Sequence, residues 1–281
     1  QSNTKQDQSN PSGPSSPSPS LQKSQAPPAA PPQVNPQAVQ AFTAIEKETD
    51  PAKQFQLVKD FRQKYPNSPL LSNALFFGAG AAEQKNDVPD AVNFAEQSVK
   101  LQPNNLRSLI LLSGLLPLPQ ALQGNPTQKA QQLNESESDA NRALQLLNNL
   151  RPGPNMPPAQ FGKAKGLIEG ELHAALGMTH LERAVLNPAP AGAPASAPPS
   201  SELVAAEQEF KIAVASPEPN PQDYYRLGEV YTQEHKIDDA IGAFSQAAQL
   251  GQGTPMQKLA SARVTQLQAA KAKSPAAPAK Q

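Results

Sequence analysis

The sequence predicts an all-α protein built from antiparallel helix hairpins, and three observations lead to this prediction. Between about residues 37 and 271, apolar residues recur at spacings of three and four, the period of one helix face. No stretch shows the sustained alternation that is typical of a half-buried strand. Alanines suited to open the second helix of a hairpin recur along the same region.

Three segments fall outside the predicted helical array. Residues 1–36 contain 9 Pro, 8 Ser and 6 Gln, residue types that neither bury much surface nor extend a helix. Residues 187–201 hold 10 Ala or Pro in 15 positions, the composition of an extended spacer. We therefore expect a disordered tail over 1–36, a helical array over 37–271 with a spacer at 187–201, and a second disordered tail over 272–281.

The last unit of the array shows the clearest repeat. It has a large residue, then Leu-Gly, then an aromatic residue, then Ala, Phe and Ala at fixed offsets. These residues are Tyr224, Leu227, Gly228, Tyr231, Ala240, Phe244 and Ala247. Gly228 and Ala240 are small enough to let two helices approach closely, and Phe244 would fill the space beside them. Asp238 is placed to cap the second helix.

This pattern resembles the tetratricopeptide repeat, a helix hairpin of about 34 residues. Alanines at the start of each second helix predict about five units, some of them degenerate. These markers are Ala52, Ala91, Ala140, Ala206 and Ala240, separated by 39, 49, 66 and 34 residues. The longer separations are assigned to loops at 117–126 and 151–158 and to the spacer. The fourth unit keeps the core residue types at Leu176, Gly177, Ala206 and Phe210.

The two ends of the array carry further signals. Met256, Leu259, Val264 and Leu267 form one apolar stripe, which predicts a terminal helix that covers the last hairpin. Residues 65–69, Tyr-Pro-Asn-Ser-Pro, resemble a junction in bacterial envelope tetratricopeptide proteins, some of which are lipoproteins. This sequence has no Cys that could accept a lipid.

Composition excludes several kinds of partner. The 24 basic and 24 acidic residues cancel and no Lys/Arg block stands out, so nucleic acid is not expected as a partner. The longest apolar run, residues 109–118, is far shorter than the roughly 20 residues of a membrane-spanning helix, so no integral membrane segment is expected. The chain begins with Gln1, which indicates a removed export signal or a trimmed chain. With the envelope resemblance, this favours a periplasmic or secreted location and possible envelope association, the alternative being the cytoplasm.

No catalytic, metal or cofactor site is expected from the sequence. Cysteine is absent, and the sequence has neither a Gly-x-Ser-x-Gly elbow nor a phosphate-binding loop. His173 and His180 are seven residues apart and share a helix face, but no third ligand lies three or four residues after either one, so both are interpreted as packing histidines. The alternative to a non-enzyme is an unrecognised site in the weak fourth unit.

The resemblance implies that the first helix of each hairpin lines a concave groove that binds a protein or peptide. The groove positions of this sequence are Asn73, Phe76, Glu83, Gln84, Arg107, Ile110, Tyr225, Glu229 and Gln233. They are mostly neutral, aromatic or acidic, which favours an extended peptide or helix with apolar and basic residues over an acidic tail. The sequence therefore predicts a non-enzymatic protein-interaction scaffold. The alternative is a structural tether of the envelope or cell wall.

Overall fold

The computed structural model describes residues 35–188 and 198–273. The chain divides into two units, Gln1–Gln33 and Val34–Gln281, and the described residues all belong to the second. The predicted tail at 1–36 lies almost wholly outside the described residues. So do most of the predicted spacer and residues 274–281 of the second tail.

The described residues form eleven α-helices and no strands. The helices are α1 Pro36–Lys47, α2 Pro51–Lys64, α3 Leu71–Gln84, α4 Val88–Leu101, α5 Leu106–Leu115, α6 Pro126–Asn149, α7 Pro158–Leu186, α8 Ser201–Val214, α9 Pro221–Gln233, α10 Ile237–Leu250 and α11 Pro255–Lys273. Each odd-numbered helix from α1 to α9 packs on the helix that follows it, and α11 packs on α10. The predicted fold class, about five hairpins with a capping helix, is confirmed.

Side-chain caps explain where most helices begin. An Asn, Asp or Ser before the helix accepts a hydrogen bond from a backbone N–H of the first turn. These capping residues are Asn35, Asp50, Asp87, Asn105, Asn125, Ser200 and Asn220. Asp238 was predicted to cap α10, and this is wrong because Lys236 occupies the cap position. Asp238 lies in the first turn, where its Oδ1 is 2.5 Å from Lys271 Nζ of α11.

The second and fifth hairpins close through the same three-residue turn. The middle residue of each turn is left-handed, with φ of 59° at Asn86 and 60° at His235. In each turn the N–H of the next residue donates to the carbonyl five positions earlier, at 2.9 Å. This arrangement ends the first helix and reverses the chain within three residues, so the paired helices must lie side by side.

Glycine lets the paired helices of the fourth and fifth hairpins approach closely. A Cβ at Gly177 would lie 2.9 Å from the Phe210 ring, and one at Gly228 would lie 2.9 Å from the Phe244 ring. Both rings are fully buried. The glycine of the first helix therefore forms the surface on which the phenylalanine of the second helix packs.

The first hairpin departs from the predicted pattern. Ala52, the predicted marker of this unit, lies at the start of α2 but is exposed, so it does not pack between the two helices. The fourth residue of the second helix, which is Ala91 in α4 and Ala240 in α10, is Gln54 in α2. Its Nε2 donates to the carbonyls of Ile45 at 3.0 Å and Glu48 at 3.1 Å, which closes the end of α1.

The extra residues of the third and fourth units are partly helical. Loops occupy 116–125 and 150–157, close to the predicted positions, but α6 has 24 residues and α7 has 29, against 10 to 14 in the other hairpin helices. The long helices pack against each other: Ser136 Oγ lies 2.8 Å from Thr179 Oγ1. Lys165 Nζ at the far end donates to Asn148 Oδ1 at 3.0 Å. Much of the added length therefore extends the packed helices.

Helix α11 covers α10 with part of the predicted stripe. Leu267 is buried in a cluster with Ala240 and Phe244, and Val264 packs against it. Leu259 is 54% exposed, so its assignment to the buried stripe is wrong. The capping helix therefore covers the last hairpin through one face, which carries Ala260, Val264 and Leu267.

Candidate functional site

The surface formed by α1, α3, α5, α7 and α9 is called here the first-helix face. Three predicted groove residues, Asn73, Phe76 and Arg107, lie together on it. They line a pocket of about 450 Å³ between α1, α3, α5 and the loop before α5, which we call the aromatic–amide pocket. Its full lining is Phe42, Glu46, Asn73, Phe76, Phe77, Gln102, Asn104, Asn105, Leu106 and Arg107.

A network of buried polar groups holds the polar wall of this pocket in place. Asn105 caps α5 and also donates through Nδ2 to Ser72 Oγ at 3.0 Å and to Asn73 Oδ1 at 3.3 Å. Ser98 Oγ lies 2.7 Å from Ser108 Oγ, which ties α4 to α5. The position of Asn105 is therefore fixed by three helices, and the side chains beside it are fixed with it.

A second part of the first-helix face is acidic. Glu83 of α3, Glu171 of α7 and Asp223 of α9 come from three different hairpins, and none has a basic ion-pair partner among the described residues. We call these three residues the acidic stretch. Glu171 and Asp223 line one pocket of about 290 Å³ between α7, the end of α8 and the start of α9.

The charge of Glu83 acts on Glu171, and the charge of Glu171 acts on Asp223. Burial raises the pKa of Glu83. Burial, and then the charge of Glu83, raise the pKa of Glu171. Burial, and then the charge of Glu171, raise the pKa of Asp223 to about 6. Asp223 is half-buried beside the charge of Glu171, and Glu83 and Glu171 are exposed, so a cation bound next to Asp223 and Glu171 would be stabilised.

Three of the remaining groove candidates are half-buried or make contacts within the protein. Tyr225 is half-buried and its ring packs edge-on against Phe244, with centroids 5.0 Å apart. Glu229 Oε2 accepts a hydrogen bond from Arg226 at 2.7 Å. Ile110 is half-buried against a hydrophobic cluster that contains Leu109. Tyr225 and Ile110 therefore help to pack the hairpins, whatever they also contact.

Two candidates are open to solvent. Gln84 is exposed in the last turn of α3, beside Glu83, and Gln233 is exposed in the last turn of α9. Neither makes a side-chain hydrogen bond within the described residues. Both are therefore free to contact a partner on the first-helix face.

The predicted repeat-core residues lie in the helix interfaces. Buried ones are Ala91, Ala140, Leu176, Gly177, Ala206, Phe210, Leu227, Gly228, Ala240, Phe244 and Ala247. Tyr224 and Tyr231 are half-buried; the Tyr224 hydroxyl is 3.5 Å from the Val214 carbonyl, and Tyr231 packs against the last two hairpins. The repeat-core residues therefore lie at the interfaces between helices, and the two tyrosines lie at the solvent-exposed edge of those interfaces.

Glu171 and Asp223 were missed at the sequence level. Glu171 lies six residues before Gly177, as Gln222 does before Gly228, so counting back from the glycine places it on the first-helix face. The long spacer in the fourth unit obscured this count. Asp223 was missed because it precedes Tyr224 and resembles an ordinary acidic residue of a first helical turn.

The opposite face, made by the second helices, has an acidic cluster of its own. Glu96 of α4 and Glu135 and Asp139 of α6 line a pocket of about 410 Å³. Burial, and then the charge of Glu135, raise the pKa of Asp139 to about 6, with Glu96 adding to the effect and Arg142 opposing it. This cluster matches the acidic stretch in charge and number, and it lies on the other side of the helix layer.

Neither histidine pair resembles a metal site. His173 Nδ1 lies 2.6 Å from Glu209 Oε2, and His180 Nδ1 lies 2.7 Å from Glu202 Oε2. Each pair joins α7 to α8. Among the described residues, no three His, Asp or Glu side chains are grouped as metal ligands. None of the helices the structure describes is long and apolar enough to cross a bilayer.

Comparison with known proteins identifies the fold. No protein-family model matches the sequence, and no curated protein sequence matches it either. Among solved structures, it is similar to a tetratricopeptide-repeat protein of Thermus thermophilus, with a TM-score of 0.51 and 14% identity, covering 82% of this chain and 98% of the other. It is also similar to the assembly chaperone of RpL4, with a TM-score of 0.50 and 14% identity, covering 86% of this chain and 92% of the other. The described chain therefore has the tetratricopeptide-repeat fold.

Proposed function

We propose that this protein is a non-catalytic scaffold that binds a partner protein on its first-helix face, and that the bound segment carries basic and apolar side chains. The observation that carries the proposal is the acidic stretch. Glu83, Glu171 and Asp223 come from three hairpins, Glu171 and Asp223 line one pocket, and none of the three has a basic ion-pair partner among the described residues.

A bound cationic side chain would relieve an unfavourable arrangement. Two of the carboxylates face the same pocket, and desolvation together with like charge raises their pKa values. A Lys or Arg of the partner would supply charge-assisted hydrogen bonds that the protein itself does not supply. Because the three residues lie on different helices, an extended segment crossing the array would contact them in turn.

The structural neighbours are in keeping with such a role. One of them is an assembly chaperone of RpL4, a protein that acts on another protein. The described residues show no grouped metal ligands, and the histidines are engaged in pairs between α7 and α8. The tetratricopeptide-repeat fold of these neighbours supports the proposed protein-binding role.

The test is a selection of displayed random peptides on the full chain. Three proteins are compared: the unmodified chain, a variant with Glu83→Gln, Glu171→Gln and Asp223→Asn, and a matched control. The control is Glu96→Gln, Glu135→Gln and Asp139→Asn, which removes the same three charges from the opposite face. Circular dichroism melting shows that each variant is folded.

We expect the unmodified chain and the control to enrich the same peptides, rich in Lys or Arg beside apolar residues. The first-helix variant should lose them. Equal enrichment on all three proteins would contradict the assignment of the surface. If no peptide is enriched, the scaffold proposal fails and the structural tether becomes the better explanation.

A further inference from the structure

The aromatic–amide pocket differs in chemistry from the acidic stretch. Its charged lining residues are Glu46 and Arg107, whose formal charges cancel. The rest of the lining is aromatic, aliphatic or amide. A ligand chosen by net charge is therefore not favoured here, and hydrogen bonding and ring contacts must decide what fits.

Internal hydrogen bonds leave this pocket rich in donors. Asn73 Oδ1 accepts from Asn105 Nδ2 at 3.3 Å. Asn104 Oδ1 accepts from the Arg142 guanidinium at 2.8 and 3.1 Å. The amide oxygens of both residues are thus engaged, while their NH₂ groups are not. The side chain of Arg107 makes no hydrogen bond within the described residues, so its guanidinium donors are also free.

The apolar wall is a row of rings. Phe42 of α1 and Phe77 of α3 have centroids 6.0 Å apart, and Phe76 and Phe77 have centroids 5.5 Å apart. The guanidinium carbon of Arg107 lies 5.8 Å from the Phe76 centroid. All three rings are half-buried, so each offers part of its surface to the pocket. The rings therefore extend from α1 to α3 and end beside the guanidinium of Arg107 on α5.

We propose that the aromatic–amide pocket binds a proline-rich segment of a partner protein in the polyproline II conformation. Proline has no backbone N–H, so such a segment needs few hydrogen-bond acceptors, and the amide oxygens of Asn73 and Asn104 in this pocket are already engaged. The backbone carbonyls of a polyproline II segment make no internal hydrogen bonds and project outward. Asn73, Asn104 and Arg107 would donate hydrogen bonds to them. The segment rises about 3.1 Å per residue, so a run of prolines would contact more than one of the rings.

This inference does not rest on the proposed function, because a different set of residues carries it. The acidic stretch would recognise a cation, and the aromatic–amide pocket would recognise an uncharged segment. Either site can fail its test while the other passes.

The test is isothermal titration calorimetry of the full chain with a decaproline peptide acetylated and amidated at its ends. The negative probe is a blocked Gly-Ser decapeptide, and a third probe is a short Asp-rich peptide with a free carboxyl end. The variants are Arg107→Gln and Phe76→Leu. The control is Glu171→Gln with Asp223→Asn, which leaves the pocket unchanged.

We expect decaproline to bind the unmodified chain and the control equally, and the Gly-Ser peptide not to bind. Arg107→Gln should weaken decaproline binding about tenfold, because it removes a charged donor. Phe76→Leu should weaken decaproline binding as well. If that variant does not fold, Arg107→Gln, which changes an exposed residue, still tests the proposal.

Three results would overturn the proposal: no decaproline binding at millimolar concentration, equal binding of decaproline and the Gly-Ser peptide, or an affinity unaffected by Arg107→Gln. Binding of the Asp-rich peptide in place of decaproline would also overturn it, and would assign the pocket to a carboxylate.

Discussion

The ring of Phe94 in α4 occupies the space that a side chain on Gly78 of α3 would need. A Cβ at Gly78 would lie 2.9 Å from Phe94 Cδ1 and 2.8 Å from Val58 Cγ1 of α2. The corresponding positions of the fifth hairpin are Leu227 and Ala243, which are buried in one cluster. The second hairpin therefore reverses the sizes of the repeat pattern, with the small residue on the first helix and the large one on the second.

This reversal predicts energetic coupling between the two positions. Gly78→Leu should destabilise the protein by about 2–3 kcal/mol through overpacking, and Phe94→Ala by about 3–4 kcal/mol through a cavity. The double variant should lose at least about 1 kcal/mol less than the two single losses added together, because the new leucine fills part of the cavity. Urea unfolding of the four proteins measures the coupling. Strict additivity would show that the two residues do not share this space.

Glycine at position 228 is predicted to be required for packing. Gly228→Ala would place a Cβ 2.9 Å from the buried Phe244 ring and should destabilise the protein by about 1–3 kcal/mol. The matched control is Gly242→Ala in α10, where no atom lies within 4 Å of the added Cβ. That change should stabilise the protein by about 0.5–1 kcal/mol, because alanine favours a helix. Thermal unfolding compares the two variants. Changes in melting temperature of the same sign would contradict the prediction that position 228 requires glycine.

The raised pKa of Asp223 predicts a stability that depends on pH. Burial and the charge of Glu171 raise this pKa from 3.8 to about 6, so the folded protein holds the proton more tightly than the unfolded chain. The stabilisation is complete below pH 3.8 and is lost as pH rises through 6. Asp223→Asn should therefore stabilise the protein by about 1 kcal/mol at pH 7.5, allowing for solvent screening, and give no gain near pH 3.8.

The measurement for this prediction is the melting temperature from pH 3.5 to 8. Asp90→Asn serves as the control, because it also removes an acidic residue from a first helical turn, that of α4. It reports the loss of the favourable interaction with the helix dipole alone. If the increase in melting temperature caused by Asp223→Asn does not grow with pH, the charged carboxylate of Asp223 is not destabilised by its surroundings.

A partly buried ion pair between the fourth and fifth hairpins should contribute more to stability than an exposed one. Lys236 Nζ lies 2.6 Å from Glu207 Oε2 of α8 and 3.0 Å from Glu234 Oε2, whose side chain is fully buried. Lys236→Met should cost about 1 kcal/mol, because Glu234 loses its cation while Glu207 keeps Lys211. Lys271→Met, which breaks the exposed pair with Asp238, should cost less than about 0.5 kcal/mol. Equal losses in urea unfolding would contradict this ranking.

Much of the fold could be predicted because residue size and spacing determine it. The offsets from Tyr224 to Ala247 identify the last hairpin, and the apolar periodicity identifies the helices around it. The length of α6 and α7 could not be predicted, since their added turns depend on packing against each other and not on a repeat. Ala52 was taken for a marker because nothing in the sequence shows that Gln54 closes the end of α1.

Less of the candidate site could be predicted. Counting offsets placed Asn73, Phe76 and Arg107 on one surface, where the structure brings them into one pocket. The count could not show that Tyr225 packs on Phe244, because a groove position and a packing position differ only by how the side chain turns. The exported location, the envelope association and the tails remain predictions from composition and resemblance.

The most direct test of the central claim is site-specific photo-crosslinking with a basic peptide from the display selection. A photoreactive residue replaces Gln84, exposed beside Glu83 on the first-helix face, or Ser138, exposed beside Asp139 on the opposite face. We expect the peptide to be labelled from position 84 and not from position 138, and the labelling to weaken when the salt concentration is raised to about 0.5 M. Labelling from position 138 alone, or equally from both, would contradict binding on the first-helix face.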